Sequence, residues 1–279
     1  MSEATVGPDS TAHRAVLTLE SVARARAADE SGYDGRIGRE LLLLDSVDST
    51  NRVAAEQARS SAAEGLTVVA HTQHSGRGRL SRRWESPPGA GLTLSVVLRP
   101  NLGPGEWPWI GLMAAVAVAE TLDLVGLGGV AVKWPNDVLV DGQKIAGLLN
   151  ERVETPEGPA LVLGIGLNVD QVAEELPVAT ATSIRLATGE RFERAALLVV
   201  LLERLAEGYR RAQRPEDRRA AYLDRCATIG QLVRVELPTE PALVGEAVGV
   251  DGAGRVLIEV AGQVRAISAG DVVHVRPAR

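Results

Sequence analysis

The chain has 279 residues, of which 45% are apolar but only 3% aromatic, so its core must be built mainly from Val, Leu, Ile and Ala. A formal net charge of -6 is the wrong sign for a non-specific nucleic-acid binder, which shows a basic domain or stripe. The single cysteine, Cys226, excludes an intramolecular disulfide and any Cys/His metal spacing; with no apolar signal core and no run near the roughly 20 apolar residues of a membrane span, the expectation is a cytoplasmic protein with no membrane partner.

Residues 1–38, rich in Ala, Ser, Gly and charge, read as a mobile tail with one short helix around Val16 to Ala28. From Leu41 the pattern turns globular: an apolar run, Asp48-Ser49-Thr50 as cap candidates, and a helix over Arg52 to Ser61 closed by Gly65. Two strand-like runs, Leu66 to Ala70 and Leu92 to Leu98, flank Gly76-Arg77-Gly78-Arg79 and the following Leu80-Ser81-Arg82-Arg83-Trp84. A buried helix over Trp109 to Leu124 precedes a strand at Val130 to Val132 and the segment Lys133-Trp134-Pro135-Asn136-Asp137. Val138 to Val140 and Lys144 to Ala146 flank Asp141-Gly142, a two-residue hairpin signal. A strand over Leu161 to Val169, an amphipathic helix over Arg194 to Arg211 and a helix over Glu216 to Cys226 follow. Beyond Ile229, short alternating runs punctuated by Asp251-Gly252 and Gly262 suggest a small β-barrel. The division is a tail at 1–38, a large domain at 39–228 and a barrel domain at 229–279.

Four arginines in one glycine-hinged loop form either a solvated basic loop or a clamp for an anion. Glycine permits close backbone approach and positive φ, and guanidinium forks match carboxylate and phosphate oxygens. Ser49 and Thr50 read as helix caps. Gln73, at a strand end, is a turn residue or an amide that reads a ligand's carbonyl and N–H together. Lys144 either snorkels to solvent or aims its ammonium into a site. Gly164 and Gly166, inside an apolar strand before Asn168, predict close approach by a ligand or another backbone.

Together, Asp48-Ser49-Thr50-Asn51, Gln73 with Gly76-Arg77-Gly78-Arg79, Lys133 to Asp137 with Lys144-Ile145-Ala146-Gly147, and Gly164-Ile165-Gly166-Leu167-Asn168 resemble the signatures of the biotin-protein ligase family. The likeness runs from about Leu41 to the C-terminus. It implies an α+β fold: a mixed sheet flanked by helices, related to class II aminoacyl-tRNA synthetase cores, with a C-terminal SH3-like barrel. It also implies a reaction in which Mg-ATP activates the biotin carboxylate as biotinyl-5'-adenylate, releasing pyrophosphate. The acyl group then passes to a lysine of the biotin carboxyl carrier domain of acetyl-CoA carboxylase or another biotin-dependent carboxylase. ATP and Mg2+ are required, biotin is the substrate, and no prosthetic group is expected.

By the same resemblance, Ser49, Thr50, Asn51 and Gln73 bind biotin's ureido end, and Arg77, Gly78 and Arg79 close over the acyl adenylate. Lys144, beside Gly147, bridges carboxylate and phosphate, so Lys144 and Arg79 are the catalytic pair. Gly76, Arg77, Arg79, Arg82, Asn136 and Asn168 fall where the family contacts nucleotide, and Asp137 is the candidate Mg2+ ligand. Members that double as repressors carry an N-terminal winged helix, for which the tail is too short, so no DNA partner is expected; a monomer or weak homodimer is. The rivals are a lipoate ligase or octanoyltransferase, which lacks the Lys-Trp-Pro-Asn-Asp run, and an idle sensor, which need not keep phosphate-neutralising groups.

Overall fold

The computed structural model describes residues 14–29, 35–79, 82–237, 241–268 and 270–274. Residues 1–13 and 30–34 of the expected tail, and Leu80 and Ser81 of the arginine loop, lie outside that set. Strand β1 (Leu41–Val47) is followed by helix α2 (Thr50–Arg59), β2 (Thr67–Gln73) and β3 (Gly91–Leu98). Leu92, Leu94, Val96 and Leu98 of β3 join one apolar cluster and Val97 another, so the strand is covered on both faces and sits inside a sheet. Beyond the core helix α3 (Pro108–Leu124) come β4 (Val130–Lys133), β5 (Asp137–Val140), β6 (Gln143–Val153) and β7 (Ala160–Asn168).

These strands form one sheet in the order β1-β2-β3-β7-β6-β5-β4. The β1–β2 pair, joined through α2, is parallel and the other ladders are antiparallel, which makes the sheet mixed, as expected. Asp141 and Gly142 take φ of 49° and 79°, the double positive φ of a type I′ turn. The hairpin strand β6 continues to Val153, well past the expected Ala146.

Helix α2 covers one face of the sheet through Ala54 and Ala58. α3 packs on the other face with α5 (Arg194–Ala212) and α6 (Pro215–Arg225), which follow the short α4 (Ile184–Thr188). The helical run Pro104–Leu124, which contains α3, is long and apolar enough to cross a bilayer by composition, but Trp109 to Ala119 are buried inside the protein; a helix apolar all round is one buried all round.

The C-terminal strands β8 (Leu232–Glu236), β9 (Leu243–Val250), β10 (Val256–Val260), β11 (Gln263–Ile267) and β12 (Asp271–His274) form a separate antiparallel sheet ordered β11-β10-β9-β8-β12. This separate antiparallel sheet is consistent with the small SH3-like barrel expected; no ladder joins β11 to β12 among the described residues, so the sheet is not closed there. The β9–β10 turn docks on two indoles: Trp109 Nε1 donates to Gly252 O at 2.9 Å and Trp134 Nε1 to Gly254 O at 3.1 Å.

The short helix expected in the N-terminal segment is present among the described residues. Helix α1 (Leu19–Ala28) is capped by Thr18, buries Val22 and packs on α5. Ahead of it, Arg14 Nε lies 3.0 Å from Asp170 Oδ2 and Nη2 lies 2.5 Å from Glu175 Oε2. Removing one partner of a buried pair leaves uncompensated charge, so Arg14→Ala is expected to cost about 3 kcal/mol, the low end of that class, because Arg185 and Arg191 also approach Asp170. Burial alone would push the Glu175 carboxyl up, but hydrogen bonds from Arg14 and from the Val172 N–H hold it below its ordinary value of 4.5. Its stabilisation is therefore full above pH 4.5 and lost as pH falls through the depressed folded value. Thermal melts should show a steeper acid decline for the wild type than for Arg14→Ala; parallel profiles would contradict the assignment.

Candidate active site

Register builds the floor of a trough. Gly166 of β7 stands opposite Thr93 of β3 and Gly147 of β6, while Gly164 stands opposite Ser95 and Leu149. Two adjacent rows in which Leu149 is the one bulky side chain leave a groove across the sheet on the α2 face. The close approach expected at Gly164 and Gly166 is made by side chains of the protein itself. A Cβ on Gly164 would lie 2.0 Å from Asn51 Oδ1, and one on Gly166 would lie 2.2 Å from Trp84 Cε2.

At one end of the trough, Ser49 occupies the N-cap position of α2 but makes no side-chain cap bond. Gln73 acts instead: its Oε1 accepts from the Thr50 N–H at 2.7 Å and is 3.1 Å from Thr50 Oγ1. A backbone N–H can only donate, so the amide orientation is set. With Oε1 turned onto Thr50, Gln73 presents its N–H groups to a ligand rather than the paired donor and acceptor expected from sequence. Asn51 is committed too. Its Nδ2 donates to Glu151 Oε2 at 2.7 Å and to Leu149 O at 3.5 Å, and its Oδ1 accepts from Ser95 Oγ at 2.6 Å. With 4% exposure, Asn51 lines the cleft as a strut whose donors are spent.

At the other end Lys144 Nζ lies 2.5 Å from Asp137 Oδ1 and 5.8 Å from the centre of the Trp84 ring. The backbone of Lys144 is pinned by Thr180 O and the Thr182 N–H, and its ammonium is held by the Asp137 ion pair. Asn136 bonds β6 through Leu148 O at 2.7 Å. The arginine loop folds back as a narrow hairpin, with Gly78 N–H donating to Arg82 O and Trp84 N–H to Gly76 O. Gly76 is required because a Cβ there would lie 2.2 Å from Trp84 O; it approaches the loop's own backbone, and neither Gly76 nor Gly78 has positive φ. Arg79 reaches toward the second sheet, with Nη2 3.5 Å from Gly270 O.

The structure thus gathers Ser49, Thr50, Asn51, Gln73, Arg77, Gly78, Arg79, Arg82, Asn136, Asp137, Lys144 and Gly147 around one cleft. It does not bring Gly76 or Asn168 to the lining. Asn168, buried at the end of β7, donates to Thr182 O at 2.9 Å and accepts from Gln171 at 3.1 Å, so both ends of its amide are turned onto the protein. Among the described lining residues Arg77, Arg79, Arg82, Arg83 and Lys144 outnumber a single carboxylate, Asp137, an excess of cations suited to polyanionic substrates.

Residues 43–170 match the biotin/lipoate A/B protein ligase family, and residues 228–275 match the biotin protein ligase C-terminal domain. The chain is 38% identical over 245 residues to the biotin--[acetyl-CoA-carboxylase] ligase of Mycobacterium tuberculosis, covering 85% of this chain and 90% of that one. It is 32% identical over 241 residues to the bifunctional ligase/repressor BirA of Bacillus subtilis, covering 85% and 74%. The chain belongs to the biotin protein ligases. Its fold superposes on the biotin protein ligase of Aquifex aeolicus, solved in complex with biotin and ATP, with a TM-score of 0.69, 28% identity and coverage of 85% and 99%.

Sequence reasoning missed three side chains of this ligase's site. Trp84 lies over Gly166 and Gly147, and its Nε1 is buried without a hydrogen-bond partner among the described residues. Ser95 and Glu151 organise Asn51. Ser95 had a signal: with Thr93, it is a polar residue at alternate positions of an otherwise apolar strand. Trp84 had none, because nothing local says that a loop indole folds into a trough. The ligase's cleft has about 100 Å3 free, with the Trp84 indole forming part of its wall, below the roughly 300 Å3 typical of ligand pockets.

Proposed function

We propose that the ligase condenses biotin with ATP in this trough and passes the biotinyl group to a carrier-domain lysine. The observation that carries the reading is the glycine-floored groove, with N–H donors from Gln73 at one end and Lys144 among arginines at the other. A carboxylate oxygen of biotin attacks the α-phosphorus, the bond to the β-phosphate oxygen breaks, and pyrophosphate leaves. A lysine amine then attacks the acyl carbon, AMP departs and the amine's proton goes to solvent. Bringing carboxylate to phosphate joins two anions, so preorganised cations are what lowers the barrier.

In this reading Gln73 and the Thr50 hydroxyl hold the ureido end of biotin, Trp84 packs along the bicycle, and Lys144 stands between carboxylate and α-phosphate. Arg77, Arg79 and Arg82 cover the phosphates, and Asn136 borders the nucleotide. Asp137 is a lone carboxylate, and no cluster of three acidic, His or Cys side chains capable of holding a metal exists among the described residues. That donor set suits Mg2+ carried largely by ATP oxygens, the ordinary nucleotide mode. The acceptor is a biotin carboxyl carrier domain of a carboxylase, supported by the name of the Mycobacterium tuberculosis relative.

The test is mass spectrometry of the full chain incubated with Mg-ATP and, in parallel, biotin, lipoate or octanoate. Biotinyl-adenylate alone supports the assignment; activation of lipoate or octanoate instead would overturn the pocket roles, and no adenylate at all would overturn the reaction.

A further inference from the structure

We propose that Glu151 is a positioning residue for adenylate synthesis, coupling the arginine loop to the head-group end of the trough. The proposal rests on the biotin and ATP reading above. Glu151 lies on β6 two residues beyond Leu149, opposite Val162, and its two carboxylate oxygens are divided between two elements. Oε1 is 3.0 Å from Arg77 Nη1, and Oε2 accepts from Asn51 Nδ2 at 2.7 Å.

The inner contact sets the polarity of a chain of hydrogen bonds. A carboxylate only accepts, so Asn51 must present its NH2 to Glu151 and its oxygen to Ser95. Ser95 must then spend its one proton on Asn51 Oδ1. Thr50 Oγ1, 2.7 Å from Ser95 Oγ, is left with the proton that it directs to Ser95 or to Gln73 Oε1. Gln73 is turned outward by the Thr50 N–H; the charge on Glu151 acts beside it, on the orientation of Asn51 and the Ser95 hydroxyl at this end of the trough.

The outer contact works differently. The Arg77 side chain is 57% exposed and that of Glu151 32%, so the pair is screened and exchangeable. It holds a glycine-hinged loop close to the cleft. A guanidinium has five donors, so Arg77 can keep Nη1 on Glu151 while its remaining N–H groups turn to a ligand oxygen. Preorganisation of this kind acts on binding rather than on the chemical step.

Glu151→Gln keeps the shape and removes the charge. In pyrophosphate-release assays on the full chain it is expected to raise the KM for biotin about tenfold, the loss of one charge-assisted contact, with kcat held within about twofold. Arg77→Gln, at the exposed end where folding is insulated, should raise KM by several-fold. The double variant should fall short of the product of the single effects, because contacting residues couple. Glu151→Asp should lie between wild type and Glu151→Gln. Multiplicative effects, an unchanged KM in Arg77→Gln, or a fall in kcat equal to the rise in KM would each overturn the proposal. Absence of turnover in the wild type would overturn the reading beneath it instead.

Discussion

Lys144→Ala is expected to slow biotinyl-adenylate formation about a thousandfold while changing biotin affinity by no more than a few-fold. The difference follows from where the ammonium sits. It is at the cation-rich end of the trough, 2.5 Å from Asp137, whereas the N–H groups of Gln73, proposed to meet the ureido end, lie at the other end, where Thr50 holds the Gln73 oxygen. Removing an electrostatic group that meets charge developing in the transition state costs roughly 10²- to 10³-fold in other enzymes. Here the deletion also strips Asp137 of its counter-charge, which adds repulsion toward ATP and places the effect at the upper end. Pyrophosphate release measures the first quantity and calorimetric titration of biotin without ATP the second. Equal losses in both would mean that Lys144 serves binding alone.

Arg79→Gly is expected to let the finished adenylate escape some ten to a hundred times faster, the range for losing one hydrogen bond to a charged group. Arg79 is the loop residue that spans from the cleft lining to Gly270, just before β12, so its loss removes both a cation of the cleft and the loop's contact on that side. Free acyl adenylate acylates amines without selection, and a lysine-rich bystander protein in the mixture should become biotinylated. The ligase itself should not become heavily labelled, because Lys133 and Lys144 are the only lysines in its sequence. Streptavidin blotting of the bystander and peptide mapping of the enzyme read out both halves. If the variant neither releases free adenylate nor labels the bystander, Arg79 does not retain the intermediate.

Features set by neighbouring residues could be read along the chain. Alternation and turn chemistry are local, so β3, the hairpin at Asp141-Gly142, the core helix α3 and the changed texture after Ile229 were all legible. The motif set carried the family. Tertiary structure decided everything that depends on partners far along the chain. Gln73 commits its oxygen to Thr50, 23 positions away, and Asn51 gives its NH2 to Glu151, 100 positions away; only then is it settled which half of each amide a ligand can meet. The alignment of Gly166 with Gly147, the entry of Trp84 over both, the inward turn of Asn168 and the docking of residues 14–28 on the large unit have the same origin. Strand register and side-chain packing are chosen by global burial and hydrogen-bond satisfaction, and no local window of sequence contains both partners of those choices.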